Sequence, residues 1–114
     1  KEYRRQRQMC IRDRNMITIY KSNEFASWFS SLKDRQARAR ILARLDRVTL
    51  GNFGDTKTVH GNISELRIDY GPGYRLYYIR QGKIIVVLLA GGDKRTQAQD
   101  IAKSIKVAQD WSSS

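Results

Sequence analysis

A chain of 114 residues can close one modest hydrophobic core and not two. Its 22 Lys and Arg against 11 Asp and Glu leave a formal charge of +11, which points to an acidic partner such as nucleic acid, the ribosome or an acidic protein. One cysteine and one histidine, Cys10 and His60, exclude a disulfide framework and a thiolate or histidine metal site, so neither metal nor cofactor is expected.

Residues 1–15, KEYRRQRQMCIRDRN, show no helical or strand periodicity and are dense in Arg and Gln. One reading is a basic arm for nucleic acid. The other follows from Met9 to Arg14, MCIRDR, which resembles the translation of a common sequencing-library adaptor and would make the segment an artefactual extension. The domain is therefore expected to span residues 16–114, where 16 basic and 9 acidic residues still leave +7.

From Met16 the order is clear. Ile17, Thr18, Ile19 and Tyr20 are β-branched or aromatic, so MITIY predicts a short strand. Ser22 or Asn23 can cap a helix with Phe25, Trp28, Phe29 and Leu32 on its apolar stripe. Asp34 caps a second helix to about Leu50, with Ala37, Ile41, Leu45 and Val48 on one face, and Gly51 ends it. The two helices, joined through Lys33-Asp34, are expected to pack as a hairpin. Arg35, Arg38, Arg40, Arg44 and Arg47 lie on the second helix, with Arg40, Arg44 and Arg47 forming a stripe of their own. Each could be a solvated helix face; as a group they suit a phosphate-rich surface, because basic residues displace counterions without reading a base.

Gly51 to His60 is expected to be a loop leading to Gly61-Asn62. After it Leu66, Ile68 and Tyr70 alternate with Glu65, Arg67 and Asp69, the period of a half-buried strand. Gly71-Pro72-Gly73 predicts a turn with positive φ at Gly73. Tyr74 to Gln81 is the next strand, with Arg75, Tyr77 and Ile79 on one face and Leu76 and Tyr78 on the other. Gln81-Gly82 predicts a two-residue hairpin. Ile84 to Ala90 is apolar without alternation and should be a strand covered on both faces. Gly91 and Gly92 are expected to turn the chain into a last helix, capped by Asp93, that buries Ala98, Ile101, Ala102, Ile105 and Ala108. The result is an α+β domain of order β-α-α-β-β-β-α, with a three-stranded antiparallel meander carrying Arg67 and Arg75. No apolar run approaches the roughly 18 residues of a membrane span and no signal-peptide core precedes the domain, so a soluble cytoplasmic protein without membrane contact is expected.

The order of elements, with HGNISELRIDYGPGYRLYYIRQ and IIVVLLAGGDKRTQAQDIAKS in particular, resembles the RelE/ParE superfamily of bacterial toxins, closest to its HigB-like addiction-module killer proteins. Leu66-Arg67-Ile68, Gly73-Tyr74-Arg75 and Gly91-Gly92-Asp93-Lys94 carry the likeness, which covers Met16 to Trp111. The resemblance implies a RelE-like fold and a toxin neutralised by a cognate antitoxin, expected to be a helix-turn-helix protein. In the RelE-like branch it implies endoribonuclease cleavage of mRNA on the ribosome without metal, hence translation inhibition. In the ParE-like branch it implies a non-enzymatic DNA gyrase poison; an inactive homologue that only binds antitoxin is the third alternative.

Cutting RNA without metal needs the 2′-hydroxyl to attack the adjacent phosphate. The protein must then remove the 2′ proton, stabilise the charge gathering on phosphorus and protonate the leaving oxygen. Arginine suits the second task, because its planar fork grips two phosphate oxygens and keeps its proton. Arg67 and Arg75 are the expected clamp. Lysine is a poor base at its reference pKa of about 10.4, although neighbouring arginines lower it. Lys94 matches the family position best and Lys57 is second. His60 is included because histidine needs the least tuning, with a reference pKa of about 6.5. Lys57, Arg40, Arg44, Arg47 and Arg95 are expected to contact RNA, and Tyr77 and Tyr78 either stack on a base or fill the two faces of the sheet. Glu65, across from Arg67 in the pattern, is expected to be a salt-bridge partner rather than an acid.

Overall fold

The computed structural model describes residues 16–113, and the extension expected at residues 1–15 lies outside them. Five strands form one sheet in the order β1-β5-β4-β3-β2. They are β1 Thr18–Lys21, β2 Thr56–His60, β3 Ile63–Ile68, β4 Tyr74–Gln81 and β5 Ile85–Asp93. β1 runs parallel to β5, and every other neighbouring pair is antiparallel. The helices are α1 Asn23–Ser31, α2 Arg35–Thr49 and α3 Gln97–Ser113, the last entered through a 3-10 turn at Lys94–Thr96. None of them is long and apolar enough to cross a membrane.

Short polar side chains set the helix starts. Ser22 Oγ accepts from the Phe25 amide at 3.0 Å and donates to the Leu89 carbonyl at 2.8 Å, so one residue caps α1 and ties it to β5. Asp34 Oδ1 accepts from the amides of Gln36 and Ala37 and caps α2. The expected stripe Ala37, Ile41, Leu45 and Val48 is buried, packing with Phe25, Leu66, Leu76, Tyr78, Val86 and Leu88 on one face of the sheet. Ile63, Tyr77, Ile79, Val87 and Leu89 cover the other face, against Val107, Ile101 and Ile105 of α3. Each face removes its own apolar surface from water, so β5 has no side left for a polar residue.

The sheet corrects several local expectations. Thr56–His60 is a strand and not a loop, which makes five strands where the sequence pattern predicts four. β2 is an edge strand whose side chains are exposed or half-buried, so no apolar alternation marks it. The β4–β5 connection is Gly82-Lys83-Ile84, three residues long, because Gln81 pairs with Ile85. Gly91 and Gly92 continue β5 rather than turn it. They are needed for close approach: a Cβ at Gly91 would overlap the Trp28 indole of α1, and one at Gly92 would overlap the Asp100 carboxylate of α3. Finally, Ala98 and Ala102 are exposed, whereas Asp100, Ser104 and Val107 are buried. The α3 stripe is rotated because Asp100 fits over Gly92, with its Oδ2 accepting from Thr96 Oγ1 at 2.5 Å.

Candidate functional site

Arg67 and Arg75 are directly opposed in the β3–β4 register, so both project from the face on which α3 packs. Lys94 begins the turn that leaves β5, whose Gly92 pairs with Arg75. The three cations line one cleft of about 520 Å³, together with Asp55, Asp69, Tyr74 and the turn Gly71-Pro72-Gly73. Gly71 and Gly73 both have positive φ, +56° and +84°, and the Gly73 amide donates to the Tyr70 carbonyl at 3.0 Å. That geometry folds the cleft wall back toward Lys94: a Cβ on Gly73 would stand 3.7 Å from the Lys94 Cβ.

Both arginines already hold a carboxylate. Arg75 Nη1 donates to Glu65 Oε1 at 2.8 Å, and Glu65 is fully buried while the Arg75 side chain is 14% exposed. Gln97 Nε2 donates to the other oxygen, Oε2, at 3.2 Å. Glu65 is thus an arginine partner as expected, but of Arg75, across the strand pair. Arg67 instead donates from Nη2 and Nε to Asp55 Oδ1, at 2.8 and 3.2 Å, where both side chains are well exposed. That hydrogen bond holds the Asp55 carboxyl below the usual range and raises Arg67 above its ordinary value. The Arg67–Asp55 pair is thus open to exchange with other anions, whereas Arg75 is anchored on a carboxylate that water does not reach.

Arg44, expected as a phosphate contact, is committed to the protein itself. Its guanidinium makes four hydrogen bonds to three carbonyls: Phe53 at 3.3 and 3.0 Å, Asp55 at 2.8 Å and Arg67 at 2.7 Å. Burial lowers its pKa, ahead of the opposing pull of Asp55. Gly54 has φ +64° and leaves the room this side chain occupies. The α2 helix thereby pins the loop that presents Asp55 to Arg67. Arg40, Arg44 and Arg47 also line a second groove of about 210 Å³, which shares Ile68 and Asp69 with the first. Arg40 lies over the Tyr70 ring, 4.6 Å from its centroid, and the Tyr70 hydroxyl donates to Asp34 Oδ2 at 3.1 Å.

The remaining expected residues are not gathered in the cleft. His60 ends β2 beside the Gly61-Asn62 turn, paired with Ile63, at the opposite end of the sheet. Lys57 pairs with Glu65 on the edge strand and is exposed, outside the cleft lining. Arg95 is 81% exposed and donates to Asp93 Oδ2 at 3.0 Å. Tyr77 and Tyr78 are buried, one in each core, and do not present a face to a base. The Tyr78 hydroxyl lies 2.8 Å from Thr56 Oγ1. Asp55, Asp69 and Gln97 escaped the sequence reading: an exposed Asp in a Gly-rich loop looks like turn chemistry, and no periodicity reveals that Gln97 meets Glu65 across 32 residues.

Comparison with known proteins agrees with this architecture. A free-state mutant of the Escherichia coli toxin RelE superposes with a TM-score of 0.65 at 14% identity, over 80% of this chain and 96% of that one, so the fold is RelE-like. An uncharacterised protein of Haemophilus influenzae is 49% identical over 94 residues, which cover 82% of this chain and 95% of its own. The family pattern described as "Phage derived protein Gp49-like (DUF891)" matches residues 27–111, from within α1 to near the end of α3. The whole cleft lining and all of α2 fall inside that span, and the chain belongs to the phage-derived Gp49-like family.

Proposed function

We propose that this protein is the toxin of a type II toxin–antitoxin system, HigB-like in kind, and that it stops translation by cutting mRNA on the ribosome. The observation that carries the reading is the convergence of Arg67, Arg75 and Lys94 on one cleft. The RelE-like fold and the Gp49-like family support it. In the cleft the 2′-oxygen of RNA attacks the adjacent phosphorus. The new O2′–P bond forms as the P–O5′ bond breaks, leaving a cyclic phosphate and a 5′-hydroxyl. Arg67 and Arg75 stabilise the extra charge on the phosphoryl oxygens. Asp55, Asp69, Tyr74 and Lys94 are the cleft's other titratable side chains; with Asp55 held by Arg67, the Asp69 carboxylate takes the 2′ proton and the Lys94 ammonium supplies one to the 5′-oxygen. Arg40 and Arg47, across the Ile68–Asp69 ridge, hold the flanking backbone. The partners are a cognate antitoxin, the ribosome and mRNA, and the compartment is the cytoplasm.

The test is induced expression of the full chain in bacteria, following protein synthesis, message ends and DNA integrity separately. Rapid loss of translation with new 5′-hydroxyl message ends is expected, and Lys94→Ala and Asp69→Asn should each slow the cutting. DNA breaks with intact messages would replace this reading by the gyrase-poison one.

A further inference from the structure

We propose that Glu65 and Gln97 are positioning residues, which fix the direction of the Arg75 guanidinium and let the first turn of α3 set that cation's aim into the cleft. The purpose of this device rests on the nuclease reading; its geometry does not.

A fully buried carboxylate has no water to satisfy it, so its hydrogen-bond partners must come from the protein. Glu65 finds one on each oxygen and from two different elements: Arg75 of β4 on Oε1 and Gln97 of α3 on Oε2. The Arg75 Nε–H is buried without a partner, which leaves the Nη1 bond to Glu65 to fix the rotation of the fork. Without its second donor the carboxylate can turn about its own axis and take the guanidinium with it. The neighbouring Tyr77 hydroxyl, opposite Glu65 in register, is also buried without a partner. Tyr77 and Glu65 both have no exposure to water, so little solvent is at hand to substitute for a lost donor; the same burial, then the charges of Glu65 and Asp100, pushes the Tyr77 pKa up.

Gln97 is itself held. The turn Lys94–Thr96 is capped by Asp93, whose Oδ1 accepts from the Arg95 amide at 2.8 Å, and Thr96 Oγ1 donates to Asp100 on the next turn of α3. One capped turn therefore presents Lys94 to the cleft and fixes the residue that steadies Arg75. A phosphoryl clamp needs this coordination, because a misplacement of about 1 Å can cost on the order of 10²-fold in rate.

The experiment compares the purified full chain with Gln97→Ala, Gln97→Met and Gln97→Lys. Two signals are read: the Arg75 Nε–H resonance by NMR, and single-turnover cutting of a reporter message in a bacterial translation extract. Gln97→Met has a similar length and no charge but cannot donate to Glu65, so a packing role tolerates it and a positioning role does not. Both Gln97→Ala and Gln97→Met should shift or broaden the Arg75 resonance. They should slow cutting about 10- to 100-fold, with half-saturating message concentration changed less than twofold. Gln97→Lys returns a donor and should restore the resonance. An Arg75 resonance unmoved in both variants overturns the proposal whatever cutting does, and so does a moved resonance with cutting unchanged. A moved resonance in a protein that never cuts any message upholds the geometry and sinks the nuclease reading instead.

Discussion

Truncating Arg75 to alanine should remove two things at once, and only one of them is catalysis. The guanidinium is the cation partner of a carboxylate with no exposure to water. Breaking such a pair from one side costs about 3–5 kcal/mol, because the other charge stays buried and uncompensated. A domain of this size is stable by about 5–15 kcal/mol, so Arg75→Ala can lose a large share of its folding free energy. The clamp would separately lose on the order of 10²-fold in rate. Loss of toxicity in this variant is therefore ambiguous unless folding is measured beside it. Urea unfolding followed by the fluorescence of Trp28 and Trp111 should show a clearly lowered midpoint for Arg75→Ala. In Arg67→Ala the midpoint should scarcely move, since that ion pair is exposed, while message cutting falls by a similar factor. Replacing both members, Glu65→Met with Arg75→Met, should restore stability without restoring cutting, as an apolar pair of similar volume replaces a buried ionic one. An unchanged midpoint in Arg75→Ala would refute the buried-pair argument, and full cutting by Arg67→Ala would remove that residue from the clamp.

Other outcomes follow from the same geometry. Arg44→Ala should destabilise the fold by about 2–3 kcal/mol in urea unfolding, because its charged hydrogen bonds to the carbonyls of Phe53, Asp55 and Arg67 are lost; a midpoint like wild type would return Arg44 to the solvent-facing arginines. Tyr77→Phe should hold or gain about 1 kcal/mol, since the hydroxyl is buried without a partner. Tyr77 is raised above its ordinary value, so its contribution is complete below about pH 10 and is lost as pH climbs from there toward the folded value. Alkaline unfolding should therefore be blunted in Tyr77→Phe, and an identical alkaline limb would contradict the burial argument. Asp55 and Asp93 are held low by Arg67 and Arg95, so what they contribute is present above the usual carboxylate value of about 3.9 and is lost as pH falls through their lower folded values. Asp55→Asn should flatten that acid limb. Gly91→Ala should lower the thermal midpoint, because the new methyl meets the Trp28 ring; an unchanged midpoint would mean the indole can withdraw freely.

How much was legible in the sequence depended on whether a residue's role repeats along the chain. The α2 stripe from Ala37 to Val48, the caps at Ser22 and Asp34 and the two-sided burial of β5 are all periodic or local, and the structure has them where the pattern puts them. The alternation expected from Glu65 to Tyr70 holds only at Leu66 and Ile68: β3 is Ile63–Ile68, Glu65 on its other face is buried, and Tyr70 lies beyond the strand. β2 was missed because an edge strand with exposed faces needs no apolar period. Gly91 and Gly92 look like a turn from sequence because sequence records that a glycine is required but not which neighbour requires it; here the neighbours are Trp28 and Asp100.

The sequence by itself determined the RelE-like order of elements from β3 onward, the excess of positive charge, and the placing of Arg67 and Arg75 on adjacent strands. Only the tertiary structure decided what those charges face. Arg67 meets Asp55, Arg75 meets Glu65 and Gln97, Arg44 turns inward to three carbonyls, Tyr77 and Tyr78 go to opposite cores, and His60 stands at the wrong end of the sheet. The physical reason is that periodicity fixes the face a side chain takes within its own element, whereas its partner is chosen by strand register and helix docking. Those are settled by burying the two apolar faces of the sheet, and the polar partners follow from that packing.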